Sequence, residues 1–264
     1  MVLKPINTAI AHSNLSDIRL IATDVDGTLT QDEKFTPKLI QAIDKLSQVG
    51  IEVMLITGRS AGWVQALNHY LPVRGAMAEN GGIFYDKNHH IPQFITPISD
   101  PDKHRQNLAK MFQSLTVDFP NLQPSTDNLF RLTDWTFDVK GLDLNTIKKL
   151  AQRCITEGWG FTYSTVQCHI KPQFQEKATG LKQVLSDYFP HLSPQQIITI
   201  GDSPNDESLF DQTLFPQSVG VANLLKYTEQ LTHKPTFITT ESEVDGFCQL
   251  VEILINCHSS ELRC

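Results

Sequence analysis

The chain has 264 residues, of which 40% are hydrophobic and 19% charged, and it carries a formal net charge of -7 with a pI near 5.7. This composition is typical of a globular protein with more than one domain, and its acidic balance argues against a broad basic surface for nucleic acid or an anionic membrane. No apolar run approaches the roughly eighteen residues of a membrane helix, and the opening residues lack the order of a signal peptide, so we expect a cytoplasmic protein without nucleic-acid or membrane partners.

An apolar run at residues 20–23 continues directly into Asp24-Val25-Asp26-Gly27-Thr28. Such a run predicts a strand buried on both faces, and ligands of open α/β sheets bind beyond the carboxyl ends of such strands. Asp24 and Asp26 are two residues apart and would project to one side, where their repulsion has to be relieved by a cation, a shared proton or full solvation. The alternative is an acidic turn without function, because Asp-Gly is common in hairpins.

After this strand the chain alternates between helix and strand. A hydroxyl residue followed by proline predicts a helix start, and a glycine predicts its end. The order strand, helix, strand implies a right-handed parallel crossover. The predicted elements are a helix from Thr36-Pro37 to Gly50, a strand at 51–56 that ends in Thr57-Gly58-Arg59-Ser60, a helix capped by Ser60, a short strand at 76–78 and a turn at 79–82.

From about residue 83 the pattern changes to a segment rich in proline and polar residues, followed by a helix and two strands, and then again by a helix and two strands. This order predicts an α+β module with a largely antiparallel sheet. The predicted elements are a helix opened by Asp100-Pro101, paired strands at 129–133 and 135–139, a helix from Asp143 to Gly158, and paired strands at 161–163 and 166–170.

From about Lys177 the alternation of helix and strand returns. The predicted elements are a helix at 179–189, a strand at 197–200 that ends in Gly201-Asp202-Ser203-Pro204-Asn205-Asp206, strands at 219–222 and 237–238, a helix at 247–255 and a frayed tail from 258. We therefore predict a discontinuous α/β domain, residues 1–84 and 173–264, interrupted by an inserted module at 85–172.

Three apolar strands thus end in Asp-Val-Asp-Gly-Thr, Thr-Gly-Arg-Ser and Gly-Asp-Ser-Pro-Asn-Asp, which a parallel sheet would bring to one edge. Together with Lys177, this set resembles the four motifs of the haloacid dehalogenase superfamily. The insert, preceded by Glu79-Asn80-Gly81-Gly82, resembles the large cap of subfamily IIB, which includes Cof-type and sucrose-phosphate phosphatases. The resemblance implies an α/β fold: a doubly wound, mostly parallel Rossmann-like core sheet with an inserted α+β cap domain.

The resemblance also implies a site for Mg²⁺, with Asp24, Asp202 and the backbone carbonyl of Asp26 as ligands. One such ion between nucleophile and phosphate would neutralise the phosphoryl oxygens, which a carboxylate nucleophile requires. Asp24 would attack phosphorus and form an aspartyl-phosphate, with Lys177 beside it. Whether Asn205 or Asp206 binds the ion directly or through water stays open at this point.

Asp26 indicates which reaction is expected, because a second carboxylate facing the leaving oxygen can act first as acid and then as base. Members of the superfamily that are dehalogenases or transport ATPases lack a carboxylate there. The sequence therefore predicts a phosphatase for a small phosphorylated metabolite, such as a sugar or polyol phosphate, acting as a monomer or homodimer. A phosphomutase of the same family and a receiver-like signalling module are the alternatives.

The remaining candidate residues surround the phosphate or lie on the insert. A structural role for Arg59 is favoured over a role as phosphate ligand. Three residues on the predicted cap strands, Arg131, His169 and Lys171, could meet the substrate, but we expect at least one to be only a surface residue. His89-His90 is expected to be a solvated turn. The predicted substrate-binding set is Thr57, Gly58, Arg59, Asn80, Lys177 and Asn205, with Thr57 and Lys177 also counted as catalytic beside Asp24 and Asp26.

Overall fold

The computed structural model describes residues 3–11, 15–87 and 91–261, so His89 and His90 lie outside the described residues. The strands are β1 (Lys4–Pro5), β2 (Leu20–Thr23), β3 (Glu52–Ile56), β4 (Gly75–Ala78), β5 (Ile83–Asp86), β6 (Gln93–Phe94), β7 (Trp135–Asp138), β8 (Gly160–Tyr163), β9 (Gln167–Lys171), β10 (Ile197–Gly201), β11 (Gln217–Gly220) and β12 (Phe237–Ile238). The α-helices are α1 (Pro37–Gln48), α2 (Ala61–Tyr70), α3 (Pro101–Asp118), α4 (Leu144–Thr156), α5 (Lys177–Tyr188) and α6 (Glu243–Glu261).

The main sheet has the strand order β1-β12-β11-β10-β2-β3-β4-β5-β6. In this order, all neighbouring strands from β1 through β4 are parallel. The last two pairs, β4 with β5 and β5 with β6, are antiparallel. The predicted fold class, a mostly parallel α/β sheet with an inserted α+β module, is confirmed. Because β3, β2 and β10 are adjacent, the loops that follow these three strands meet at one edge of the sheet.

Both faces of the sheet are buried, as the apolar strands predict. Side chains alternate along β2, so that Ile21 packs into one apolar cluster while Leu20 and Ala22 pack into the other. Helices α1, α2 and α6 cover the first face, and α5 covers the second together with a 3-10 helix at Pro204–Phe210. Among the described residues, no helix combines the length and the apolar character needed to cross a bilayer.

Within the predicted insert, residues 85–172, helices α3 and α4 pack on a three-stranded antiparallel sheet of order β7-β9-β8. The predicted pairing of 129–133 with 135–139 is wrong, because Thr126–Phe130 forms a 3-10 helix and β7 pairs with β9 instead. The Asn128 amide explains the difference. It accepts a hydrogen bond from Thr136 N at 2.9 Å and donates to Thr136 O at 2.7 Å, so it occupies the backbone groups that a neighbouring strand would use.

Element boundaries follow the local signals in part. Asp100 and Asp143 accept hydrogen bonds from the first turns of α3 and α4, as predicted, whereas neither Thr36 nor Ser60 caps its helix with its side chain. Helix α6 extends to Glu261, beyond the predicted end at 255 and into the predicted tail. Residue 84, the predicted end of the first core segment, lies inside β5 of the main sheet, and the division into domains stays a prediction.

Glu79, in the turn after β4, joins the main sheet to the inserted module. Its fully buried carboxylate accepts hydrogen bonds from Ala61 N at 2.9 Å and from Leu132 N, Thr133 N and the Thr133 hydroxyl at 2.6 to 3.0 Å. Glu79 thus satisfies the first amide of α2, whereas a capping Ser60 hydroxyl would accept from the second or third. Burial raises the pKa of Glu79, and the amides around it favour the charged form.

We expect Glu79→Gln to lower the free energy of unfolding by about 2 to 4 kcal/mol, because an amide cannot accept from several backbone donors and leaves buried N–H groups unpaired. Urea titration of the purified protein measures this change. Glu157→Gln, at an exposed position after α4, is the control and should alter stability by less than about 0.5 kcal/mol. Equal, small effects of the two substitutions would contradict the role of Glu79.

Candidate active site

The loops after β2, β3 and β10 meet as predicted. Asp24, Asp26, Thr57 and Asn205 line one small cavity. The remaining lining residues come from the same loops and from the inserted module: Gly58, Arg59, Ser203, Ser164, Val166, Gln167 and His169. Asp24 and Asn205, which are 181 positions apart in the sequence, therefore share one site, because the carboxyl ends of parallel strands lie at the same edge of a sheet.

Lys177 stands between two carboxylates at the base of this site. Its ammonium lies 2.5 Å from Asp24 Oδ1 and 2.6 Å from Asp206 Oδ1, and all three side chains are buried. Burial alone would lower the pKa of Lys177, but Asp206 and Asp24 outweigh burial and raise it. Lys177 is thus held as a cation, and Asp206 is fixed further by Asp202 N and Ser203 N, which donate to its second oxygen at 2.9 and 3.1 Å.

Asp24, Asp202 and Asp206 form a buried acidic cluster, in which one carboxylate oxygen of each residue lies within 4.8 Å of the others. Asp202 Oδ2 accepts a hydrogen bond from Asn223 Nδ2 at 2.8 Å, whereas Asp202 Oδ1 is buried and lacks a partner within the described part of the chain. A buried carboxylate oxygen without a donor is costly unless a cation is supplied. Oxygen ligands of this kind suit Mg²⁺, so the residues present fit the predicted ion.

Gly27 permits the close approach of Asp202 to the Asp24 loop. Its φ of +79° lies in the left-handed region, and a Cβ atom at this position would come within 2.4 Å of Asp202 Oδ2. Asn223 Nδ2, in the loop after β11, donates to both Gly27 O and Asp202 Oδ2 and so joins the two loops.

The acidic cluster changes the protonation of its members. Burial raises the pKa of Asp24 to about 7, with repulsion from Asp206 and Asp26 acting in the same direction and Lys177 acting against them. Burial, together with the charges of Asp24 and Asp206, raises the pKa of Asp202 well above its usual value. One ammonium therefore does not balance the carboxylates that meet here.

Asp26 and Arg59 form a bidentate ion pair at the mouth of the site. Arg59 Nε donates to Asp26 Oδ2 at 2.8 Å, and a terminal nitrogen donates to Oδ1 at 2.5 Å. The Arg59 guanidinium also lies 4.6 Å from the ring centre of Trp63, which is half exposed. Arg59 thus holds the side chain of Asp26, a contact that the sequence did not indicate.

The predicted phosphate-binding residues are close together behind Asp24. Thr57 Oγ1 accepts a hydrogen bond from Arg59 N at 3.1 Å, so the hydroxyl proton of Thr57 stays available to a ligand. Asn205 Nδ2 donates to Asn80 Oδ1 at 3.0 Å, while Asn205 Oδ1 accepts from the Ser203 hydroxyl at 2.7 Å. Asn205 therefore has protein partners, as does Asp206 within the acidic cluster.

The inserted module covers the site. Residues 164–169 of the β8–β9 hairpin lie opposite Asp24, and the cavity between them has a volume of about 10 Å³, enough for about one water molecule. Arg131 supports this closed arrangement, because its buried guanidinium donates to Gly58 O on the core and to Asp134 and Gln167 on the insert.

The expectation that at least one of Arg131, His169 and Lys171 is a surface residue is wrong, since all three are buried. Lys171 pairs with Glu176 at the junction with α5, and His169 faces the site. Sequence reasoning missed the roles of Asn223 and Glu79. Each residue follows a strand, but each acts through contacts with distant segments that the strand pattern does not indicate.

The chain matches the family described as haloacid dehalogenase-like hydrolase over residues 21–119 and 96–251. A phosphoglycolate phosphatase of Thermoplasma volcanium is 28% identical over 200 residues, which cover 75% of this chain and 83% of that protein. A solved structure from Thermoplasma acidophilum has a TM-score of 0.71 at 24% identity, covering 90% of this chain and 98% of the other. The Synechocystis sucrose-phosphatase, solved with sucrose and phosphate, has a TM-score of 0.66 at 16% identity, with coverages of 89% and 97%.

The chain therefore belongs to the haloacid dehalogenase-like hydrolases. The predicted membership of the superfamily and of its subfamily IIB is confirmed, and so is the predicted class of enzyme, a phosphatase of this family.

The raised pKa of Asp24 predicts how stability depends on pH in the metal-free protein. Between pH 4 and 7 the folded chain retains a proton that the unfolded carboxyl, with its ordinary pKa near 3.8, has lost, so stability falls as the pH rises through this window. We expect the melting temperature to fall by about 5 °C or more between pH 5 and 8. Calorimetry in the presence of EDTA measures the melting temperature at each pH.

In Asp24→Asn this fall should be clearly smaller, because the titrating group is gone. Asp187→Asn, which removes an exposed carboxylate of α5, is the control and should behave as the unsubstituted protein does. The same pH dependence in all three proteins would contradict the raised pKa.

Proposed function

We propose that the protein is a Mg²⁺-dependent phosphatase that hydrolyses a small phosphate monoester through an aspartyl-phosphate on Asp24. The observation that carries this proposal is the convergence of Asp24, Asp202 and Asp206 on Lys177 at the end of the parallel strands. A nucleophilic carboxylate, a fixed ammonium and an acidic cluster with an unpaired oxygen are the parts that phosphoryl transfer to a carboxylate requires.

Magnesium would be held by Asp24, Asp202 and the backbone carbonyl of Asp26. The unpaired Oδ1 of Asp202 and the charge excess of the cluster support this assignment. Bound there, the ion would neutralise phosphoryl oxygens and lower the repulsion between the ester and the nucleophile. Asp206 keeps Lys177 in place and orients the Asp202 loop through its backbone amides.

Lys177 contacts Oδ1 of Asp24 and so orients the carboxylate that would attack phosphorus. Lys177 also places a positive charge beside the developing charge on the phosphoryl oxygens. The hydroxyl of Thr57 can donate to one of these oxygens, because its own oxygen accepts from Arg59 N. Gly58 and Asn80 line the same side, and they complete the predicted phosphate site together with Asn205.

Asp26 protonates the departing alcohol and then activates the water that cleaves the acyl-phosphate. In the closed structure Arg59 holds both carboxylate oxygens of Asp26, so Arg59 has to release one oxygen before Asp26 can donate a proton. Arg59 is thus a positioning residue for Asp26. It keeps the acid at the mouth of the site through its contact with Trp63.

The proposed substrate is a small phosphorylated metabolite. The closed cavity holds about one water, so ester binding has to separate the β8–β9 hairpin from the core. A sugar or polyol phosphate fits this description. The similar protein of Thermoplasma volcanium is named a phosphoglycolate phosphatase, so phosphoglycolate is a substrate to compare with sugar and polyol phosphates. A monomer or homodimer and a cytoplasmic location stay predictions.

The direct test is a screen of phosphorylated metabolites with magnesium, scored by release of inorganic phosphate. Phosphate and alcohol released in equal amounts support the phosphatase and exclude a pure phosphomutase. A chain that hydrolyses no monoester and instead holds a long-lived phosphoryl group would contradict the proposal and favour the receiver-like alternative.

Substitution of the two aspartates separates their roles. We expect Asp24→Asn to abolish turnover with the fold intact, and Asp26→Ala to lower kcat by about 10² to 10⁴, the usual contribution of general acid–base catalysis. Magnesium affinity, measured by calorimetric titration, should fall much less in Asp26→Ala than in Asp24→Asn, because only the Asp26 carbonyl is a proposed ligand. Loss of magnesium binding in Asp26→Ala would contradict this division.

A further inference from the structure

Asn223 lies outside the loops after β2, β3 and β10, yet its side-chain amide contacts two of them. It belongs to the 3-10 helix Ala222–Lys226, which follows β11, the neighbour of β10 in the main sheet. Its Nδ2 donates to Asp202 Oδ2 at 2.8 Å and to Gly27 O at 3.0 Å, and its Oδ1 accepts from Glu243 N at 3.0 Å. The amide therefore connects the loops after β2 and β10 with the first residue of α6.

The backbone partners of this amide determine how it is oriented. Gly27 O can only accept a hydrogen bond and Glu243 N can only donate one, so Nδ2 faces the first and Oδ1 faces the second. The start of α6 is itself tied to the loop after β2, because Val244 N donates to Thr30 O at 3.1 Å. The donor that reaches Asp202 is thus held in place from two sides.

This contact makes the two oxygens of Asp202 unequal. Oδ2 accepts from Asn223 and lies against Gly27, where a Cβ atom would come within 2.4 Å of it. Oδ1 is buried and has no hydrogen-bond partner among residues 3–11, 15–87 and 91–261. A cation at the acidic cluster therefore finds one oxygen of Asp202 free of protein donors rather than two.

From this arrangement we infer that Asn223 is a positioning residue that limits Asp202 to one metal-binding oxygen and so makes the site selective for Mg²⁺ over Ca²⁺. Mg²⁺ is small, demands near-octahedral geometry and keeps several waters, whereas Ca²⁺ takes about six to eight oxygens and accepts both oxygens of one carboxylate. A carboxylate whose second oxygen is bound by an amide suits the first ion better. The inference rests on the magnesium site of the proposed function and adds the residue that decides which divalent ion is preferred.

The other two carboxylates of the cluster are limited in a similar way. Asp24 Oδ1 is held by Lys177, and the two oxygens of Asp206 accept from Lys177 and from Asp202 N. Each carboxylate of the cluster thus has at least one oxygen engaged by a protein donor, which favours an ion with few protein ligands. Among these donors, Asn223 can be substituted without changing a proposed catalytic residue or metal ligand.

The test is calorimetric titration of the EDTA-stripped protein with MgCl₂ and, separately, with CaCl₂. The unsubstituted protein should bind magnesium more tightly than calcium. Asn223→Ala releases Asp202 Oδ2, and we expect it to raise Kd for magnesium by about 10- to 100-fold while changing Kd for calcium less than about threefold. Asn107→Ala, at an exposed position of α3, is the control and should leave both constants unchanged.

Asn223→Asp separates the contact with Asp202 from the contact with α6. A carboxylate at this position still accepts from Glu243 N, but it no longer donates to Asp202. The added charge attracts both divalent ions, so the ratio of the two dissociation constants is the quantity to compare. We expect this ratio to shift toward calcium by about tenfold or more, as in Asn223→Ala, with Asn107→Asp as the control of equal charge.

An unsubstituted protein that binds calcium as tightly as magnesium would overturn the inference. So would equal changes of both constants in Asn223→Ala, or an unchanged ratio in Asn223→Asp, because a residue needed only for folding lowers stability in urea without altering the preference of the folded protein. Each of these results leaves the phosphatase proposal intact. An unsubstituted protein that binds neither ion would instead refute the magnesium site of the proposed function.

Discussion

The structure depends on how buried negative charge is balanced where the parallel strands end. Three carboxylates, those of Asp24, Asp202 and Asp206, meet one ammonium, that of Lys177, in a region shielded from water. Lys177 compensates Asp24 and Asp206 directly, and Asp202 keeps one oxygen without a donor in the described structure. The remaining negative charge can be relieved in two ways. Either carboxyl groups of the cluster stay protonated, with raised pKa values, or a divalent cation binds. The same imbalance that destabilises the metal-free fold is what makes the site suitable for magnesium and for a dianionic ester.

The inserted module covers this charged edge. Glu79 joins the module to the turn after β4, and Arg131 joins it to the loop that contains Gly58. Both contacts are buried and fully satisfied, so the closed arrangement is well defined. It leaves room for about one water, and substrate entry therefore requires these contacts to loosen and form again around the ester. The sheet edge carries the proposed catalytic residues, and the hairpin that carries His169 covers them.

The sequence contained enough information to place the catalytic edge, because the property that matters there is topological. Once the runs before Asp24, Thr57 and Asp202 are interpreted as adjacent parallel strands, their loops have to meet. Contacts between side chains and distant backbone groups could not be predicted in this way. Asn128 replaces a predicted strand pair with its own amide, and Glu79 accepts from the first amide of α2. Neither contact leaves a periodic or local signal, since each depends on where a remote segment lies after folding.

The central claim is that Asp24 accepts the phosphoryl group, and a trapping experiment tests it most directly. Asp26→Asn enzyme mixed with magnesium and p-nitrophenyl phosphate, whose leaving group departs without a proton, should form the adduct and hydrolyse it slowly. After a rapid quench and proteolysis, mass spectrometry should find one phosphoryl group on the peptide that contains Asp24. A phosphoryl group on a different residue, or product formation without any adduct, would contradict the account.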